Sequence, residues 1–181
     1  PQAGIWPDPN CRGITVGEMR HQIYCSLAFG AKGLVYYVWS AAAGHTQGLT
    51  KNGEPTYLYK YAQECNLFIK KIEKDLLADV SLGVLVSGGT PGRMPKYALA
   101  ENCGDIKEVN GAHVLTGVFE NEAGFHYLVV NNSITEKEVV TVEFKTARKR
   151  LIVLADREFE EENRELRLTL DIGDCAFIKE V

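Results

Sequence analysis

The spacing of hydrophobic residues along the chain changes near residue 79. Up to residue 78, apolar residues recur at helical spacing or form a continuous run, whereas from residue 80 onward they tend to alternate with polar residues. Strict alternation is typical of a β-strand with one solvated face, because successive side chains project to opposite faces of the sheet. The pattern therefore predicts two parts, residues 1–78 and residues 80–181, with different secondary structure.

The first helix is predicted over residues 15–30. Thr15 and Glu18 have the spacing of a capping box, in which each side chain accepts a hydrogen bond from the backbone N–H of the other residue. Gly30 supplies a cap at the other end, because glycine readily adopts the left-handed conformation found there. The apolar residues between these limits recur at helical spacing: Met19, Ile23 and Leu27.

A continuous apolar and aromatic run follows this helix and predicts a strand over residues 33–39. A run without alternation indicates a strand buried on both faces, as in a parallel sheet covered by helices. After a polar loop, Pro55 suits the first turn of a second helix, predicted over residues 55–77. The apolar stripe of this helix comprises Leu58, Ala62, Cys65, Ile69, Ile72 and Leu76. The order helix, buried strand, long helix is typical of an α/β fold.

Seven strands are predicted in residues 80–181. They lie near 82–87, 112–120, 124–131, 140–144, 149–155, 166–172 and 174–181. Turn residues and the charged stretch 158–165 separate them. Short strands at near-regular spacing favour an antiparallel β-sandwich, so the fold class is α+β.

Composition and charge exclude several classes of partner. The chain has 181 residues, with 20 Lys and Arg against 24 Asp and Glu, which gives a net charge of −4. This balance provides no electrostatic reason to bind nucleic acid or an anionic membrane. No apolar run approaches the ~20 residues that a membrane helix needs. Residue 1 is proline rather than methionine, so we expect the natural chain to begin upstream.

The cysteines and histidines indicate no metal site and no cofactor. The five cysteines are an odd number without a C-x-x-C pair, and the four histidines form no H-x-x-x-H or H-x-H pair. Free cysteines fit a reducing compartment, although the cytoplasm, the periplasm and secretion all stay open. We expect Cys65 and Cys175 to be buried as small hydrophobic residues.

One histidine is a candidate site residue. His45 lies in the loop directly after the predicted strand 33–39, and binding residues of α/β folds concentrate at that end of a strand. The alternative is an ordinary loop residue. The chain has no G-x-S-x-G elbow and no P-loop, and the acids of the first part form no convincing catalytic pair. We therefore assign no catalytic residue within the chain.

Several segments of the first part resemble the end of a (β/α)8 barrel of a glycoside hydrolase. The likeness is to the clan that includes the family 42 β-galactosidases. The segments that carry it are residues 2–6, 18–20, 28–39, 48–49 and 52–55, in which the sequence QAGIW and the run AFGAKGLVYYVW are the central motifs. The resemblance covers about two fifths of the chain.

The resemblance implies a fold and a parent activity. Residues 1–78 would be the incomplete terminal part of a barrel domain, and residues 80–181 an accessory β-sandwich domain. The parent would be a retaining glycoside hydrolase that acts on O-glycosidic bonds. In this family the nucleophilic glutamate ends the seventh strand, which would place it immediately upstream of Pro1, and the acid/base glutamate lies further upstream. The chain alone is then expected to be inactive.

Three further residues become candidates for substrate binding through this resemblance. Trp39 ends the eighth strand, where the family has an aromatic floor under the sugar; the alternative is a tryptophan that caps the barrel core. Trp6 follows the position of the nucleophile and could line the pocket, and Gln2 could donate a hydrogen bond to a sugar hydroxyl. For these two, a purely structural role is an equal alternative.

A second hypothesis is a non-catalytic β-sandwich module with helical decoration that binds carbohydrate or protein. A complete small α/β enzyme is a third, which fails as a barrel because only one barrel strand is visible. Under the first hypothesis the partners are carbohydrate, through the parent enzyme, and either a second copy of the chain or the missing barrel portion. Apolar faces left without neighbours lead us to expect self-association.

Overall fold

The computed structural model describes residues 1–5, 12–41, 47–88 and 98–181. It is a mixed α+β structure with two helices and mostly antiparallel sheets. The first part contains helix α1 (Val16–Ala28), the short strands β1 (Thr50–Lys51) and β2 (Glu54–Pro55), and helix α2 (Tyr57–Ala78). The strands of the second part are β3 (Val80–Gly88), β4 (Ile106–Asn110), β5 (His113–Asn121), β6 (Gly124–Asn131), β7 (Glu138–Phe144), β8 (Arg150–Val153), β9 (Glu158–Glu161), β10 (Glu165–Leu170) and β11 (Cys175–Glu180).

Both helices begin at a threonine cap. At α1, the Glu18 N–H donates to Thr15 Oγ1 (3.2 Å) and the Thr15 N–H donates to Glu18 Oε2 (2.8 Å), which is the predicted capping box. At α2, the cap is Thr56, whose hydroxyl oxygen accepts from the Leu58 N–H (3.2 Å). Pro55 therefore lies in β2 rather than in the helix, because the hydroxyl of Thr56 supplies the partner that the free N–H groups of the first turn need.

The second part forms two stacked antiparallel sheets. The larger has six strands in the order β3-β5-β6-β11-β8-β9, and the smaller has three in the order β10-β7-β4. A hydrophobic core fills the space between them, with Val118, Tyr127 and Ile178 from the larger sheet and Val140 and Leu168 from the smaller. This is the sandwich-like arrangement that the alternation predicts.

The helices cover the outer face of the six-stranded sheet. A second core joins Ile23 and Leu27 of α1 and Phe68 of α2 to Phe119 and Phe177 of the sheet. Helix α1 approaches β5 very closely at Gly117, where a Cβ atom would lie 2.5 Å from the Ala28 carbonyl oxygen. The central strands β5, β6 and β11 are consequently buried on both faces.

The prediction of a strand over residues 33–39, all of which the structure describes, is wrong. The segment forms only isolated bridges, at Tyr37 and at Ser40, and it is not buried on both faces. Val35 is 84% exposed, Tyr37 55% and Trp39 59%. The physical reason is that α1 and α2 cover only one face of the segment, and no described residue covers the other.

Two strands of the second part were not expected from the pattern. β4 is short and has mostly exposed residues, and β9 falls within the charged stretch 158–165 that was predicted as a break. β9 is an edge strand that pairs only with β8, and glutamates are common on such edges because charge prevents pairing with another chain.

Candidate functional site

The candidate site is built on two short segments that pair in parallel. The Tyr37 N–H donates to the Pro1 carbonyl oxygen (3.0 Å), and the Ala3 N–H donates to the Tyr37 carbonyl oxygen. Gln2 and Tyr37 are thus partners in a parallel bridge. Helix α1 lies between the two bridged segments in the sequence, which is the usual order for parallel neighbours that are joined by a helix.

A third stretch of chain holds the end of the second segment. The Leu49 N–H donates to the Val38 carbonyl oxygen (3.1 Å) and the Thr50 N–H donates to the Trp39 carbonyl oxygen (2.7 Å). The backbone at Trp39 is therefore fixed on the side away from Gln2, by the stretch of chain that precedes α2. These bonds fix the backbone from which the largely exposed Trp39 ring projects.

Three exposed side chains lie at the parallel bridge and at the end of the second segment. Gln2 and Tyr37 are bridge partners, and Trp39 follows two residues later. All three residues are exposed, whereas Leu34 and Tyr36 pack against the core formed with the helices. The Trp39 side chain lies on the side of α2, because it lines a cavity together with residues of that helix. We name this exposed set, Gln2, Tyr37 and Trp39, the open face.

The side chains of the open face differ in their local contacts. The Trp39 ring meets the Tyr59 ring of α2 edge-on, with 6.2 Å between ring centroids and 78° between planes. Gln2 is held by its own neighbourhood, because its Nε2 donates to the Gly4 carbonyl oxygen (3.2 Å) and its backbone N–H donates to Gln22 Oε1 (2.9 Å). The predicted site residues Trp6 and His45 lie outside the described residues.

The described acids of the first part are engaged away from the open face or point to solvent. Glu18 serves the α1 cap, where hydrogen bonds from Arg12 lower the pKa of its carboxyl to about 2. Glu64 contacts Arg20 at 3.4 Å, and Asp75 pairs with Lys179 of β11 at 2.8 Å. No described carboxylate is paired across the open face.

A buried polar cluster was missed by the sequence reasoning. Asp79, at the end of α2, accepts hydrogen bonds from Asn121 Nδ2 (2.5 Å) and lies 2.8 Å from His126 Nδ1. The Asp79 and His126 side chains are 0% and 3% exposed. The carbonyl oxygen of Asp79 also accepts from Lys32 Nζ (2.6 Å), so the cluster ties α2 to the β5–β6 hairpin and to the segment after α1.

Three of the described thiols, those of Cys25, Cys65 and Cys175, are not set up as nucleophiles. Cys65 and Cys175 are fully buried, as predicted. Burial raises the pKa of Cys25 to about 12 and that of Cys65 to about 11, and it raises the pKa of Cys175 well above its usual value. A thiol with a raised pKa stays protonated at neutral pH and is a poor nucleophile and metal ligand.

Among residues 1–5, 12–41, 47–88 and 98–181, no cluster of three or more His, Cys, Asp or Glu side chains could hold a metal ion.

Neither helix in the described ranges is long and apolar enough to cross a membrane.

Comparison with known proteins assigns the chain to no family: no model of a known protein family matches the chain, and no curated protein matches it.

Proposed function

We propose that the chain is the C-terminal part of a retaining glycoside hydrolase, β-galactosidase-like in its barrel end, that acts on O-glycosidic bonds. The observation that carries this proposal is the parallel pairing of residues 1–3 with Tyr37 through helix α1, next to an open face that presents an indole and a phenol. Parallel strands need a layer on both faces. Here α1 and α2 supply one layer, and the other is the interior of the parent barrel.

The open face has the chemistry of a sugar subsite. The face of an indole stacks on the C–H face of a pyranose, and its N–H can donate to a hydroxyl. Trp39 is exposed enough to do so, and its carbonyl oxygen accepts a hydrogen bond from the Thr50 N–H. The carboxylates that a retaining enzyme needs, about 5 Å apart, would come from upstream of Pro1. The sandwich would hold this end of the barrel through α1 and α2.

A second candidate is a non-catalytic β-sandwich module that binds carbohydrate or protein. The observation that favours it is the core shared by both helices and the six-stranded sheet, which gives these residues a hydrophobic interior of their own. In this alternative, α1 and α2 are part of the module and the open face is a binding surface without catalytic partners.

The experiment compares residues 1–181 with the full product of the source gene, using nitrophenyl glycosides and NMR detection of the released anomer. We expect no turnover by residues 1–181, and hydrolysis with retention by the full product. In the full product, Trp39→Ala should lower kcat/KM roughly tenfold through lost stacking, and Trp39→Phe should lower it less. Phe29→Ala is the matched control, because Phe29 is an exposed aromatic at the end of α1.

Two results would overturn the proposal. Turnover by residues 1–181 would show that the catalytic groups lie within the chain. A full product without glycosidase activity towards any aryl glycoside, in a correctly folded state, would favour the non-catalytic module instead.

A further inference from the structure

A polar cavity lies where helix α1 meets the sandwich. Its volume is about 300 Å³, at the small end of the range for ligand sites in proteins. Arg20 of α1 lines it, together with residues of the turn 154–157 before β9 and of the turn 171–174 before β11. We call this cavity the α1 cleft.

The charges that line the α1 cleft balance. The three cations are Arg20, Lys137 and Arg157, and the three carboxylates are Asp156, Asp171 and Asp174. Two pairs are already made at the exposed rim: Lys137 Nζ lies 3.1 Å from Asp171 Oδ1, and Arg157 Nη1 lies 2.9 Å from Asp156 Oδ2. The remaining charges, those of Arg20 and Asp174, form the floor.

The Arg20 guanidinium has donors left to bind a ligand. Its side chain is only 21% exposed, yet within the described ranges it makes a single hydrogen bond, a long one from Nη2 to Glu64 Oε2 (3.4 Å). A guanidinium offers five N–H donors in a planar fork, which matches the two oxygens of a carboxylate. The α1 cleft therefore presents an arginine fork whose donors are mostly unused by the described residues.

The Asp174 carboxylate is also only partly satisfied. Its Oδ1 accepts from the Cys175 N–H (2.9 Å), whereas its Oδ2 accepts from no residue that the structure describes. Burial raises the pKa of this carboxyl, although the Cys175 N–H and the charge of Arg20 act in the opposite direction. Within the described ranges, Asp174 forms no ion pair with Arg20 or with any other cation. A half-buried carboxylate without a cation in contact is unfavourable, and an ammonium group would remove that cost.

A zwitterion matches this floor better than an ion of one sign. An anion bound to Arg20 would lie near the negative charge of Asp174, and a cation bound to Asp174 would lie near the positive charge of Arg20. A free α-amino acid carries a carboxylate and an ammonium on one carbon, so it offers each charge of the floor an opposite one. A sugar is the other neutral polar ligand, but none of the described residues that line the cleft is an aromatic on which a pyranose could stack.

We propose that the α1 cleft binds the zwitterion of a free α-amino acid, with its carboxylate on Arg20 and its ammonium on Asp174. The side chain of the amino acid would lie along the apolar part of the wall, at Leu154 and Leu170. This inference rests on the cleft alone and does not depend on the proposed glycosidase parentage.

The first test separates the two charges of the ligand. Isothermal titration calorimetry measures binding of L-valine, 3-methylbutanoate, 2-methylpropylamine and galactose to the 181-residue chain. The second compound is valine without its ammonium, and the third is valine without its carboxylate. We expect a Kd on the order of 0.5 mM for valine and at least about tenfold weaker binding of the two single-charge compounds, because each loses one set of charge-assisted hydrogen bonds. Galactose should not bind.

Two substitutions locate the site. Asp174→Asn keeps an oxygen for the Cys175 N–H but removes the charge, so it should weaken valine about tenfold and strengthen 3-methylbutanoate. Arg20→Met should weaken valine to a similar degree and strengthen 2-methylpropylamine. Arg164→Gln is the matched control, because Arg164 is an exposed arginine that does not line the cleft, and it should bind valine as the unmodified chain does.

Circular dichroism establishes that each variant is folded. If Arg20→Met does not fold, Asp174→Asn and the four ligands on the unmodified chain still decide the question. Four outcomes would overturn the proposal: no binding of valine, binding of valine no tighter than that of either single-charge compound, an unchanged valine affinity in folded Asp174→Asn, and binding of galactose without binding of valine.

Discussion

The closest approach between the helices and the sandwich offers a sharp test of the fold. At Gly117 of β5, a Cβ atom would lie 2.5 Å from the Ala28 carbonyl oxygen and 2.8 Å from the Ala28 Cα. Ordinary contacts begin at 3.4 Å, so α1 must move by about 0.9 Å to admit a methyl group. The clash is with backbone, and no change of side-chain rotamer can relieve it.

Gly117→Ala should therefore loosen the packing of α1 on the six-stranded sheet. Overpacking of this kind costs about 1–3 kcal/mol, and we expect the upper end because the obstacle is a helix backbone. For a chain of this size, about 3 kcal/mol corresponds to a fall in Tm of roughly 6–12 °C. Urea and thermal unfolding followed by circular dichroism at 222 nm measure both quantities.

Gly33→Ala is the matched control, because a Cβ at Gly33 meets nothing within 4 Å. It should change the free energy of unfolding by less than about 0.5 kcal/mol. If Gly117→Ala were as stable as Gly33→Ala, α1 would not pack against β5 as described, and the shared core of helices and sheet would be refuted.

Three further predictions concern polar groups. Glu18→Gln should destabilise the chain at pH 6 and much less at pH 2.5: the Glu18 pKa of about 2 lies below the unfolded value of about 4.3, so the stabilisation is fully present above about pH 4.3 and is largely lost as the pH falls to about 2. Asp105→Ala should cost about 3–5 kcal/mol in urea unfolding, because Arg150 is 1% exposed and would lose its carboxylate partner. Thr116→Val should stabilise by about 1 kcal/mol, since the buried Thr116 hydroxyl has no hydrogen-bond partner in the described structure; a loss of stability would contradict this.

The helices could be predicted closely because their signals are local. The observed helices begin and end within two residues of the predicted limits 15–30 and 55–77. The capping box at Thr15 involves residues three apart, and the apolar stripe of α2 is visible in one window of sequence. Seven of the strands in residues 80–181 were also predicted, and strict alternation identified two of them, β7 and β10.

The error at residues 33–39 has a different cause. A continuous apolar run indicates burial on both faces only if both covering layers are present. Leu34 and Tyr36 face such a layer, whereas Val35 and Tyr37 are largely exposed. The sequence shows that this segment is hydrophobic enough to be buried, but it does not show which residues cover it.

The open face was predicted only in part. Trp39 and Gln2 were named from a family resemblance, and both are exposed in the structure, but their role in sugar binding stays a prediction. Tyr37, the bridge partner of Gln2, was missed because the pairing joins residues that are 35 positions apart. The contact between Asp79 and His126 spans 47 residues and depends on how α2 meets the β5–β6 hairpin, so no local pattern reveals it.

The coding sequence directly upstream of Pro1 in the source gene would test whether residues 1–78 end a glycosidase barrel. We expect an apolar strand pattern that ends in a glutamate just before Pro1, and an upstream region that repeats strand and helix patterns with a second glutamate at a strand end. An upstream region without that glutamate, or without repeated strand and helix patterns, would contradict the assignment of residues 1–78 to the end of a glycosidase barrel.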